Sequence, residues 1–258
     1  LAEISWCDKL ASTPGMGITL DWEFLPSVRY QEAMMPVTAK WVDKEKQAFT
    51  VDQQDAFSLT FTSFDGFHYA FNSSQIYCEF RHRLKYQAQS AGPPTAELAS
   101  KPLPYTQMLP QISDRLVQAA RLVATGNQRA LVRVGVVSAT AVKEDEAPPG
   151  IRRYIAYMGR PWTAAPHAFT MDVTSILPRT PKAEWEDRCQ HVVTKVEHGD
   201  ELINIRLDFH RRFDSPKALS VGLLDDILKR LRADALKYFE DVGQGERFDE
   251  SIINDRSK

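Results

Sequence analysis

The residue types able to do chemistry in this chain gather in one stretch, residues 189–213, which reads CQHVVTKVEHGDELINIRLDFHRRF. Cys189, His191, Asp208 and His210 are all acceptable zinc ligands. Imidazole beside carboxylate is equally a general acid/base pair, with His191, Asp208 and His210 as the catalytic candidates. Spacing is what joins them. Both runs alternate with period two, and residues two apart share one face of a strand. Gly199-Asp200 lies between the runs and suits a two-residue hairpin loop, because both positions take positive φ cheaply. Such a loop opposes His198 to Glu201, His191 to Asp208, and Cys189 to His210. Directly opposed Cβ atoms lie roughly 4.5–5.5 Å apart. The four side chains are therefore expected to form one compact square.

The same register puts Val192, Val196, Ile203, Ile205, Leu207, Phe209 and Phe213 on a core face. Cys189, His191, Lys195, Glu197, Asn204, Arg206, Asp208, His210 and Arg212 take the other face. A one-residue slip would bury those charges, so the register is a sharp expectation. A plainer reading stands beside the site: an antiparallel sheet often has one wetted face, and polar residues at every second position are what that face requires.

Other chemistry is sparse. The chain has no G-x-x-x-x-G-K-[ST], G-x-S-x-G, H-E-x-x-H or EF-hand loop. No cofactor is expected. Ser138 in GVVSAT has no elbow glycine after it and reads as a strand residue. His68, His82 and His167 are isolated, and Trp22, Trp41, Trp162 and Trp185 read as core or edge fillers.

The positioning elements follow from periodicity and turn chemistry. Residues 1–16 read as irregular, with a turn at Pro14-Gly15, followed by a strand on which Ile18, Leu20, Trp22 and Phe24 alternate with polar residues. Short β runs follow at 37–42 and 48–51. Phe57, Leu59 and Phe61, then Phe67, Tyr69 and Phe71, alternate across Asp65-Gly66, where a strict two-residue loop would mix the faces. A longer loop or a bulge is expected there. Residues 76–85 read as a further strand, and 87–104 as a Pro-, Ala- and Ser-rich linker. Leu109, Ile112, Leu116, Ala119 or Ala120, and Val123 mark a helix with Pro110 in its first turn and Gly126-Asn127 at its end. Residues 130–142 form a central strand, and 154–158 and 168–173 short ones. A last helix spans 216–241, with Ser215 as cap, Pro216 at its first position and Gly243 as stop.

The 258 residues allow one large domain or two small ones. Apolar content of 43% and charged content of 26% are ordinary for a globular protein. A net charge of −2 gives no sign of a nucleic-acid partner. Cys7, Cys78 and Cys189 are odd in number and widely spaced, which suits a reducing, cytoplasmic setting. No run of 18 apolar residues occurs, so no membrane span is expected. No charged-then-apolar leader opens the chain, so no signal peptide is expected.

The order of elements repeats: strands, long helix, strands, long helix. The expected fold is α+β in two similar halves, each a curved, mostly antiparallel sheet packed on one long helix. The N-terminal half takes 1–86 plus 105–126, the linker 87–104, and the C-terminal half 127–258 with its tail; the two halves are also compatible with one compact domain. The first helix, RALVRVGVVSAT, the DFH strand and LLDDILKRLRADALKYFEDV together resemble a sporadically distributed family of uncharacterised bacterial proteins of about this length. That resemblance implies the same strand–helix–strand–helix plan and a setting near phage-defence or mobile-element genes. It carries over no catalytic residue. The expected function is a binding or regulatory protein acting on a protein partner, a second copy or a small ligand. The alternatives are a metal-dependent hydrolase or nuclease using Cys189, His191, Asp208 and His210, and a nucleic-acid-binding module.

Overall fold

The computed structural model describes residues 8, 12–21, 49–55, 57–63, 65–81, 84–87, 95–98, 103–124, 130–159, 163, 168–195 and 202–247. Nine strands form one antiparallel sheet. They are β1 (Ser12–Leu20), β2 (Phe49–Gln54), β3 (Ser58–Ser63), β4 (Phe67–Asn72), β5 (Gln75–Phe80), β8 (Ala130–Lys143), β9 (Phe169–Ile176), β10 (Trp185–Lys195) and β11 (Leu202–Ala218). Their spatial order is β2-β3-β4-β5-β1-β8-β11-β10-β9. A separate hairpin pairs β6 (Leu84–Gln87) with β7 (Thr95–Leu98), inside the stretch read as strand end and linker. The helices are α1 (Tyr105–Ala124), α2 (Pro149–Gly159) and α3 (Val221–Gln244). The fold class is α+β, and no helix among the described residues is long and apolar enough to cross a membrane.

Alternation explains which face is covered. Met16, Ile18, Leu59, Phe61, Tyr69, Phe71, Ile76, Cys78, Val134, Val136, Ile205, Leu207 and Phe209 are buried on one face. Against it α1 packs on β1 and β5, α3 packs on β8 and β11, and the two helices touch each other. The helices present Leu109, Ile112 and Leu116, and Leu224, Leu228, Leu231 and Ala235, at three- and four-residue steps.

Several expectations are corrected. Pro14 and Gly15 lie within β1 rather than in a turn. Pairing of β1 with β5 begins at Gly15, so the missing N–H of Pro14 interrupts no bond on that side. Gly15 is needed because the Tyr77 ring crosses the strand; a Cβ there would overlap the Tyr77 hydroxyl. Residues 154–158 are not a strand but the second half of α2. Ile151, Tyr154 and Ile155 keep helical spacing, and Pro149 opens the helix. Ser215 and Pro216 do not start the last helix. They fall in the irregular end of β11, where the register with β8 shifts between Arg212 and Lys217. Ser220 is the cap, accepting from the Leu223 N–H at 3.3 Å, and Gly245 at φ +88° ends the helix in place of Gly243. Pro110 lies inside α1, which begins a turn earlier than expected. The connection between β3 and β4 is longer than two residues, as the mixed faces required, and it sets Leu59 opposite Phe71 and Phe61 opposite Tyr69. The short run at 37–42, the strand end at Trp22 and Phe24, Gly126-Asn127 and the tail from 248 lie outside the described residues.

Candidate functional site

The β10–β11 hairpin forms where the alternation places it, but its register is offset by one residue from the two-residue-loop expectation. Cys189 opposes Phe209, His191 opposes Leu207, Gln190 opposes Asp208, and Arg188 opposes His210. The innermost described pair is Lys195 with Ile203, and the residues between these two paired positions, 196–202, are odd in number. A two-residue loop needs an even number, and a change of parity turns one whole strand over. The turn itself, 196–201, lies outside the described residues.

Four candidate residues are therefore split by the sheet. Cys189 and His191 point inward among the core, with Val193 instead of Val192 beside them. Asp208 and His210 stay on the outer face, where Asp208 Oδ1 lies 3.4 Å from His210 Nδ1. The square of two imidazoles, thiol and carboxylate is not assembled. Among the described residues no three His, Cys, Asp or Glu side chains come together to hold a metal ion.

The inward pair leads to the polar centre of the molecule. Cys189 is buried, and burial pushes its thiol up to about 12, which makes it a poor nucleophile. The Tyr238 hydroxyl donates to its sulfur. His191 stacks on the Tyr238 ring at 5.5 Å between centroids and 28° between planes. Its Nε2 is buried without a hydrogen bond, and burial drives the imidazole down to about 4, so it is neutral at pH 7. The Arg247 guanidinium also lies over the Tyr238 ring, 4.7 Å from its centroid.

Beside Tyr238 opens a cleft of about 280 Å³ between α3, β10, β11 and the loop after β9. Arg211 is its anchor. The side chain is only 7% exposed, and its guanidinium lies 4.5 Å from the Trp185 ring centroid. Nε and Nη2 donate to the two oxygens of Asp187, both at 2.7 Å, and Nη2 also donates to Asp234 Oδ2 at 2.8 Å. Burial works against that charge, yet the hydrogen bonds it donates to Asp187 and Asp234 hold its pKa above the ordinary value. Arg179, Lys237 and Arg247 complete a strongly charged wall. Arg179 is bidentate to Asp214 at 2.8 and 3.0 Å, while Lys237 and Arg247 share Asp241 at 3.1 and 2.6 Å.

These residues were readable in part. The alternation of β11 already lines up Ile203, Ile205, Leu207, Phe209, Arg211 and Phe213, so a cation between two phenylalanines on the core side was a visible anomaly. Its partners Asp187, Asp234 and Trp185 were not readable, because they depend on the register and on the azimuth of α3. Trp185 does line this cleft instead of simply filling core.

A second polar set lies on the outer face of the opposite end. Thr62 Oγ1 donates to Asp52 Oδ2 at 2.5 Å and meets His68 Nδ1 at 3.0 Å, while Asp52 Oδ2 lies 3.3 Å from that same nitrogen. A nucleophile–base–acid relay needs the hydroxyl and the carboxylate on different ring nitrogens. Here both crowd one, so the set closes on itself. Burial, with Arg81 nearby, pushes the His68 imidazole down. Another hollow, about 350 Å³ and more open, lies over Ala139, Ala141, Val192, Thr194, Asn204 and Arg206.

No family model matches this chain, and no curated protein matches it either.

Proposed function

We propose that this chain is a binding protein, and that the cleft beside Arg211 is where it holds a small ligand. The observation that carries the reading is a full charge kept at 7% exposure on the wall of an open 280 Å³ space. A buried ion pair stabilises a fold no better than apolar packing of the same volume. Stability alone therefore gives no reason to keep Arg211, Asp187 and Asp234 around a void. Recognition does, since ligand sites combine ring-lined walls with a few fixed polar groups. The hydrolase reading has lost its residue set, because Cys189 and His191 leave the opposite face of β10–β11 from Asp208 and His210.

The two halves are versions of one plan in this reading. From the β1–β8 contact outward, β5 matches β11, β4 matches β10, and β3 matches β9, with α1 and α3 closing each set. A regulatory role in the cytoplasm of a bacterium, within a defence system and with a protein partner, extends the same proposal. It rests on the family resemblance of the helices and central strand.

The test is a thermal-shift screen of the whole chain against classes of small polar compound, followed by hydrogen exchange with any stabilising compound. Protection centred on 177–187 and 234–247 is expected. Stabilisation without protection there would remove the cleft from consideration.

A further inference from the structure

Resting on the cleft being a binding site, we propose that its ligand is a compact oxyanion, a carboxylate or phosphoryl group, which takes the end-on edge of Arg211 and displaces Asp234. A guanidinium offers its N–H groups in a fixed fork with two usable edges. Asp187 fills the side edge completely, with Nε to Oδ1 and Nη2 to Oδ2. Asp234 fills only half of the end edge, through one oxygen on Nη2, and among the described residues Nη1 has no hydrogen-bond partner. A ligand presenting two oxygens in one plane would satisfy both prongs, which Asp234 does not.

The two aspartates are unequal in a way that fits exchange. Asp187 has 17% of its side chain exposed and Asp234 has 52%. Arg211 is buried in both pairs, but the half-exposed Asp234 is already partly hydrated and gives up less than Asp187 on leaving, so it is the partner that is replaced. Asp234 is thus a resident carboxylate marking the position of an incoming one, while Asp187 keeps the arginine in place. Arg179, Lys237 and Arg247 line the same cleft, and among the described residues each already has a carboxylate partner: Asp214 and Glu186 for Arg179, Asp241 for the other two. An arriving anion is therefore held by the edge of Arg211 that Asp234 leaves as it swings to solvent. The volume of about 280 Å³ is at the small end for ligand pockets, so the anion is compact.

Calorimetric titration of the whole chain with inorganic phosphate and with citrate tests this, using chloride at matched ionic strength and glycerol as controls. Phosphate or citrate binds, and whichever binds tighter identifies the phosphoryl or the carboxylate source. Asp234→Asn removes the competitor on an exposed position, and it tightens that binding about tenfold. Arg211→Lys keeps the charge, loses the fork and abolishes binding. The proposal is overturned if Asp234→Asn binds no tighter than the parent, or if chloride competes as well as either probe. A neutral compound that protects 177–187 and 234–247 while phosphate and citrate do not would also overturn it, yet would leave the cleft as a binding site. A failure of every compound to protect those segments would remove both readings.

Discussion

The two ends of the sheet solve the same packing problem differently. Under α1, the β3–β5 end is filled with rings: Phe61 stacks on Tyr69 at 4.8 Å and on Phe71 at 5.9 Å, nearly parallel to both. One arginine, Arg115, covers Phe67 at 4.0 Å and bonds Tyr69 at 3.1 Å and Asp65 at 2.5 Å. Under α3, the β9–β11 end also sets an arginine against a ring, Arg211 against Trp185, but leaves about 280 Å³ unfilled beside it. Ring packing is given up there for a network of charges. Close packing is the default of protein interiors, so the end that departs from it is the end to examine for function.

Truncating one ring at each end should separate them most strongly. Phe61→Ala opens a cavity inside a fully packed stack, and should cost about 3–5 kcal/mol in urea unfolding. Trp185 already borders open space, so Trp185→Ala should cost on the order of 1–2 kcal/mol, because little new cavity forms. Equal losses would mean that the hollow end is packed as tightly as the filled one.

Acid should sharpen the contrast next. The buried His191 imidazole is held at about 4 against an ordinary value near 6.5. The unfolded chain therefore binds the proton first, and stability falls as pH drops from about 6.5 toward 4. The shift corresponds to about 3 kcal/mol once pH is below the folded value. His191→Phe keeps a ring on Tyr238 and has no proton to gain. It should be neutral or slightly stabilising at pH 7, since Nε2 carries no hydrogen bond, and should flatten that part of the pH–stability curve. An unchanged slope would place the acid sensitivity elsewhere, with His68 at the filled end the next candidate because burial pushes it down too.

What the sequence made legible follows from which signals are local. The apolar stripes of α1 and α3, the alternation of β3, β4 and β11 and the apolar run of β8 are local, and a helix or strand of the expected type lies at each. The α2 segment was misread because the run from 154 to 158 was taken without Ile151, whose three- and four-residue spacing to Tyr154 and Ile155 is helical. The β11 face assignment holds: Asn204, Arg206, Asp208, His210 and Arg212 face away from the helices. The β10 half was inverted by one assumption about the turn. Register is a relation between two strands, and nothing within β10 itself states it. The charged cleft lay deeper still, since Asp187, Arg211 and Asp234 meet only after β10, β11 and α3 have all been placed.

That register is the point on which both the lost site and the found one turn, and a crosslink tests it with almost no change in stability. Val192 opposes Arg206 on the outer face of the hairpin. Val192→Cys with Arg206→Cys should therefore bridge under mild oxidation or with a short bis-thiol reagent, giving a single intramolecular product by mass spectrometry. His191→Cys with Asp208→Cys is the pair that a two-residue turn would have opposed. Its side chains leave opposite faces of the sheet, so it should stay unbridged under the same conditions. Bridging of the second pair and not the first would restore the Cys189, His191, Asp208 and His210 square. It would also turn Asp187 away from Arg211, because a slip of one residue moves every side chain of β10 to the other face.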